Sequence, residues 1–211
     1  MLGLIKKDIL MIKNNLKTII FAILIYIFLG ITNDIDISFF IPFITFMITI
    51  STFSYDDFNK WHSYAITLPN GRKNMVRSKY ISSLILIFIS AIIGIILSTI
   101  IAIYKNNLNI EEILSTISGI IVAIILLQSI IFPILFKYGS EKGRISLFII
   151  FFGITAVIGI ISELFNINTN NISKILNFID TYYLIIIPII IILILIISYK
   201  ISQKIYSKKE F

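Results

Sequence analysis

The chain alternates long runs free of charge with short polar connections. Six stretches of sixteen residues or more lack Asp, Glu, Lys, Arg and His: Thr18–Asn33, Ile37–Tyr55, Tyr80–Tyr104, Ile113–Phe136, Ile145–Ser162 and Thr181–Tyr199. A membrane-crossing α-helix needs about 20 apolar residues, with a range of roughly 17–25. Five runs fit, and Leu16 and Lys17 extend the short first one by snorkelling. The runs are apolar all round, whereas barrel strands alternate apolar and polar residues. Helices, which satisfy their own backbone groups, are the solution lipid allows. The pattern predicts an all-α integral membrane protein of six transmembrane helices, with residues 1–211 forming one domain.

Residues 1–17 precede the first run. Leu2, Ile5, Ile9, Ile12 and Leu16 recur at spacings of three and four, with Lys6, Lys13 and Lys17 beside them. This predicts an amphipathic helix lying in the membrane interface. Leu4, Leu10 and Met11 interrupt its polar face.

Charge then sets the orientation. Of 18 Lys and Arg residues, all but Lys105 and Lys174 fall in the termini and alternate connections. By the positive-inside bias, both termini, residues 55–79 and residues 137–144 are cytoplasmic, and 163–180 is an extracellular loop. Tyrosines at run ends, including Tyr55, Tyr80, Tyr104 and Tyr199, form an interfacial belt. Only 14% of residues are charged, against about 25% in soluble domains. The net charge of +7 is explained by this topology and by anionic lipid headgroups as partners; no nucleic acid is expected. Heavy use of Ile, Lys and Asn is associated with AT-rich bacterial genes, which suggests the bacterial plasma membrane. No small-x-small cleavage site follows the first run, so an uncleaved N-terminus is expected.

Candidate chemistry is sparse. The absence of cysteine excludes disulfides and thiolate metal sites. His62 is the single histidine, so no HExxH site exists, and beside Trp61 it reads as a surface residue. There is no phosphate-binding loop and no Gly-x-Ser-x-Gly elbow. The chain reads as a non-enzyme with no cofactor. Intramembrane ionisable groups usually mark relays; here the nearest is Glu163, at the outer end of the fifth run, and the main polar group deep in a run is the uncharged Gln128, in the fourth. Either lines a pathway, or Gln128 makes an interhelical hydrogen bond and Glu163 sits in the interface. Asp34, Asp36, Glu111 and Glu112 stand at helix starts, where acids complement the dipole. Pro42, Pro133 and Pro188 fall in even-numbered runs and predict kinks. Ser90/Gly94, Ser115/Gly119 and Thr155/Gly159 are small-residue pairs that permit close helix contact.

The largest inside connection, residues 55–79, predicts a helix over Asp57–Ile66, with Phe58, Trp61 and Ala65 on one face. Leu68-Pro69 ends it, Asn70-Gly71 turns, and a second helix runs through Val76 into the third span. Asp57, Trp61, Leu68, Pro69, Arg72, Val76, Lys79 and Tyr80 match an acid, Trp, Leu-Pro, Arg, Val, Lys-Tyr series. Pro133, Lys137, Gly139, Glu141, Lys142, Gly143 and Arg144 match a Pro…Gly-x-Glu-Lys-x-Arg series leading into the fifth span. On these residues the chain resembles permease subunits of ABC-2 type ABC transporters, and among them a small bacterial group that includes exporters of amphipathic peptide toxins.

The resemblance implies a subunit that pairs with a second permease subunit and docks on a separate cytoplasmic ATP-binding subunit. The Asp57–Arg72 segment would be the coupling helix, with Asp57, Trp61, Leu68, Pro69, Arg72, Lys79, Glu141 and Arg144 at the coupling site. A lining poor in charge suits amphipathic peptides or other hydrophobic cargo. The alternatives are a substrate-binding membrane subunit of a vitamin uptake system, or a permease for sodium or antibiotic efflux or for immunity.

Overall fold

A computed structural model describes residues 2–13, 15–32, 40–106, 108–164 and 169–209; within these, the side chains of 151, 154–155 and 157–187 lie outside the described set. Among the described residues eight helices follow one another: α1 (Leu2–Lys13), α2 (Leu16–Thr32), α3 (Phe40–Phe58), α4 (Trp61–Thr67), α5 (Gly71–Tyr104), α6 (Ile110–Tyr138), α7 (Ser140–Leu164) and α8 (Thr169–Lys208). No strand occurs among the described residues.

Among the described residues three helices are long and apolar enough to cross a membrane: α5, α6 and the Pro188–Lys208 part of α8; α1 and α2, taken together as one bent span, would make a fourth. The six-run pattern is wider than this for physical reasons. Helix α2 has 17 residues. Helix α3 has 19 and ends on Tyr55-Asp56-Asp57-Phe58, which dilutes its apolar length.

The bundle is apolar outside and partly polar inside. Phe88, Ile92, Ile96 and Ile100 are exposed along one face of α5, while Ser83, Ser90, Ala91, Gly94 and Ser98 are buried on the other. Small residues let helices approach without a bulky interlock. The Ser90/Gly94 pair serves this purpose, with Ile117 of α6 over Gly94. Ser115 and Gly119 are exposed, and the Thr155/Gly159 pair lies outside the described side chains. Tyr26 of α2 meets Ser98 of α5 at 2.7 Å.

Toward the basic end the core becomes aromatic. Phe53 packs edge-on against Phe132 and Phe136, each at 5.1 Å between ring centres; Phe132 meets Tyr80 and Phe136 meets Tyr206. Such edge contacts add about 0.5–1.5 kcal/mol each beyond area burial. They join α3, α5, α6 and α8 at one level.

Helix starts follow local chemistry. The Asn109 side chain accepts from the Glu112 N–H at 3.4 Å, and Glu111 and Glu112 occupy the first turn of α6 as expected. Pro133 and Pro188 lie inside α6 and α8, but Pro42 falls in the first turn of α3, where proline removes no hydrogen bond. Residues 169–180, expected as part of the loop 163–180, belong instead to α8, which is continuous over 40 residues. Asp34 and Asp36 lie outside the described residues.

Candidate functional site

The residues that carry the two sequence motifs converge at the basic end of the bundle. The first motif does not form the helix predicted for Asp57–Ile66. Helix α3 continues to Phe58 and breaks at Lys60, which adopts a left-handed conformation (φ 50°). Helix α4 then spans only Trp61–Thr67 and stops at Leu68. The break rotates the expected stripe apart: Phe58 is 86% exposed, Trp61 half-buried and Ala65 fully buried. Asn70 is again left-handed, and α5 starts at Gly71, whose N–H donates to the Leu68 carbonyl at 2.8 Å. A Cβ on Gly71 would run into the Ala65 carbonyl oxygen. Glycine is what lets α4 and α5 fold this tightly.

Asp57 joins this corner to the second motif. Its Oδ1 lies 2.9 Å from His62 Nε2, and its Oδ2 accepts from the Ser140 backbone N–H at 2.7 Å. Asp57 thus caps α7 from another helix, placing its charge at a positive helix end. Gly139, with φ 83°, makes the turn that presents this N–H. Arg144 donates to Ser54 at 2.8 Å and makes a second link between α7 and α3. Burial alone would push the Asp57 carboxyl up. The His62 hydrogen bond, then those from Ser140, outweigh it and hold the group at about 2.

His62 is not the surface residue expected. It is buried, and its Nδ1 lies 2.9 Å from the Tyr206 hydroxyl of α8. The guanidinium of Arg72 donates to the Ser207 carbonyl at the end of α8. Trp61 packs on Tyr64 with 4.9 Å between ring centres, and the Lys7 ammonium sits 4.9 Å from its ring. A cleft of about 400 Å³ between α1 and the α4–α5 corner is lined by Trp61, Tyr64, Leu68 and Pro69. The Trp61 indole N–H is desolvated and has no acceptor among the described residues. Glu141 is exposed in the first turn of α7, and a groove of about 790 Å³ runs from it past Arg144 to Asn15.

Lys79 departs furthest from the sequence reading. It is 0% exposed, so it contributes nothing to a surface. Its ammonium lies 2.9 Å from Asp8 and 2.6 Å from Asp56, and donates to Thr52 at 2.9 Å. Lys7 completes the cluster, bonded to Asp56 and 3.4 Å from Asp8. Ser82 donates to Asp8 at 3.3 Å. Two cations balance two anions, the condition under which charges tolerate burial. Lys7, Asp8 and Asp56 were missed in the sequence. The available signal was Asp8 in register with Leu4 and Ile12: these three form the buried face of α1, and of the predicted stripe Leu2, Ile5, Ile9, Ile12 and Leu16 only Ile12 belongs to it. Leu2 and Ile9 are exposed, as side chains facing lipid would be.

Gln128 is fully buried and donates to Ser83 of α5 at 2.6 Å. This is the interhelical bond. Beside it, the Tyr80 hydroxyl meets Ser198 at 2.6 Å and Ser202 at 2.9 Å, and Ser198 donates to the Ser129 carbonyl. The side chain of Glu163 lies outside the described residues. Among the described residues no His/Asp/Glu group is placed to hold a metal.

An all-helical bundle with an aliphatic exterior, a buried polar interior and a basic end braced by ion pairs defines an integral membrane protein. The family model described as ABC-2 family transporter protein matches residues 3–207, and the chain belongs to this family of ABC transporter permeases. No curated protein and no solved structure gives a match.

Proposed function

We propose that the chain is the permease subunit of an ATP-driven exporter in the bacterial plasma membrane. In this reading α2, α3, α5, α6, α7 and α8 are its six spans, α1 lies in the inner interface and both termini are cytoplasmic. Helix α4 is the coupling helix, and a separate ATP-binding subunit grips it. Two such permease subunits, identical or different, enclose the path. The cargo is an amphipathic peptide or another hydrophobic compound, because among the described residues the interior offers hydroxyls and the Gln128 amide rather than unpaired charge.

The observation that carries the reading is how α4 is held. Its outer face presents Tyr64, 55% exposed, beside exposed Pro69. Its inner face is pinned to α8 through His62–Tyr206, and Asp57 pins the preceding corner to α7. A push on α4 therefore has stiff connections to two long helices. Aromatic residues in a partly formed cleft are the kind of anchor that dominates interfaces. A docked acceptor would also satisfy the orphan Trp61 N–H. Asp57, Arg72, Lys79 and Arg144 act in this reading as internal braces, while Trp61, Leu68, Pro69 and Glu141 meet the partner.

The test is co-purification of the tagged chain from its native membrane with a phosphate-loop ATPase, together with ATP hydrolysis. Trp61→Ala and Tyr64→Glu should each release the ATPase while the permease keeps its thermal stability. Arg72→Glu should weaken coupling through the lost α5–α8 brace. If all three variants retain the ATPase and its stimulated hydrolysis, α4 is not the coupling helix.

A further inference from the structure

We propose that the α5–α8 groove at the basic end is a binding site for one anionic diacyl phospholipid, with its phosphate held between Lys200 and Lys204. A depression of about 320 Å³ is lined by Arg72, Lys73, Lys200, Gln203, Lys204 and Ser207. Four of these six residues are cationic and none is acidic. The three lysines are exposed, and no carboxylate pairs with them among the described residues. Arg72 is positioned in advance by its bond to the Ser207 carbonyl.

The apolar surface next to the depression identifies the occupant. Leu193, Ile196, Ile197 and Ile201 are exposed on α8. Ile197, Lys200, Ile201 and Lys204 share one face by spacings of three and four. The aliphatic stripe therefore runs directly into the cations with no neutral polar collar. A soluble acidic protein would have to cover those isoleucines, whereas a phospholipid meets both halves with one molecule.

The depth also fits. Headgroup layers are about 5–7 Å thick on each side of the hydrocarbon. Lys200 and Lys204 are separated by about 6 Å along the axis, at 1.5 Å per residue. Lys200 follows directly on Tyr199, an aromatic of the interfacial type, so both ammonium groups sit at headgroup level and Arg72 and Lys73 close the floor. The site requires only that α5 and α8 cross the bilayer; it does not depend on an ATPase or on the cargo.

The test uses the full chain, purified in detergent and stripped of lipid, with phosphatidylglycerol or phosphatidylcholine of the same chains added back and bound lipid read by native mass spectrometry. Phosphatidylglycerol should be retained and phosphatidylcholine lost. The Lys200→Gln/Lys204→Gln variant should bind phosphatidylglycerol roughly tenfold or more weakly, since each basic residue near an anionic surface is worth about a factor of five. Lys200→Arg/Lys204→Arg should restore binding. Lys6→Gln/Lys13→Gln, which removes the same charge from α1, should leave it unchanged. Glycerol 3-phosphate should not displace the lipid. Equal retention by the two Gln double variants would overturn the proposal, and so would displacement by glycerol 3-phosphate, which marks a free-phosphate site. Loss of ATPase co-purification in Lys200→Gln/Lys204→Gln with lipid retention intact would assign the patch to an acidic protein instead.

Discussion

The ammonium of Lys79 lies 2.9 Å from the carboxylate of Asp8, and this contact fastens the N-terminal helix to the start of α5. Neither side chain touches solvent. Removing one partner leaves an uncompensated buried charge. Lys79→Met should therefore lower stability by about 3–5 kcal/mol, measured by thermal unfolding in detergent. Lys79→Met/Asp56→Asn, which leaves the Lys7–Asp8 pair balanced, should recover a large part of that loss. A double variant no better than the single would show that the cluster is not held by charge balance.

The Asp57 carboxyl sits at about 2 instead of its ordinary 3.8. A carboxyl whose folded value is depressed adds stability that is complete above its unfolded value and is lost as pH falls through the folded one. Wild type should lose this contribution between about pH 4 and pH 2. Asp57→Asn, less stable at neutral pH, should show a flatter acid profile across that window. Trp61, the single tryptophan, lies in the adjoining corner, and its fluorescence can follow the transition. Parallel acid profiles for the two proteins would remove Asp57 from the bracing role.

Gly139 holds φ 83° with ψ 177°, a region open in practice to glycine alone. Gly139→Ala should cost about 1–3 kcal/mol and pull the Ser140 N–H away from Asp57. Combined with Asp57→Asn, the two losses should add to less than their sum. Strict additivity in the thermal melts would mean the turn and the carboxylate act independently.

Gln128→Leu should change stability by no more than about 1 kcal/mol. Interhelical hydrogen bonds in membranes average only about 0.6 kcal/mol. Ser83, left behind, still donates to the Tyr80 carbonyl at 2.9 Å, and the Gln128 carbonyl oxygen has no partner to lose. A drop of several kcal/mol on thermal unfolding would reveal a structural role this packing does not account for.

Local signals were readable because neighbours along the chain decide them. Leu68-Pro69 and Asn70-Gly71 marked the end of α4 and the start of α5, and Glu111 and Glu112 marked the start of α6. The charge-free runs located the long helices. Long-range pairings were not readable. The sequence reading did not single out Asp8; its partners, Lys79 on α5 and the Asp56-bound Lys7, are what give it a counter-charge. Lys79 sat in a basic loop and read as surface, because a sequence does not show that α1 and α3 close over it. His62 read as exposed for the same reason: Tyr206, 144 residues later, is what buries it. The break at Lys60 carried no glycine or proline to announce it.

The hydrogen bond between His62 and Tyr206 leaves no slack between the shortest helix of the molecule and the longest. Helix α8 is 40 residues long, about 60 Å at the usual rise, which exceeds the thickness of a bilayer with its headgroups. In the proposed coupling role, a shift of α4 by even an ångström must either drag the foot of α8 or snap the contact, so a push received by seven residues is handed at once to forty.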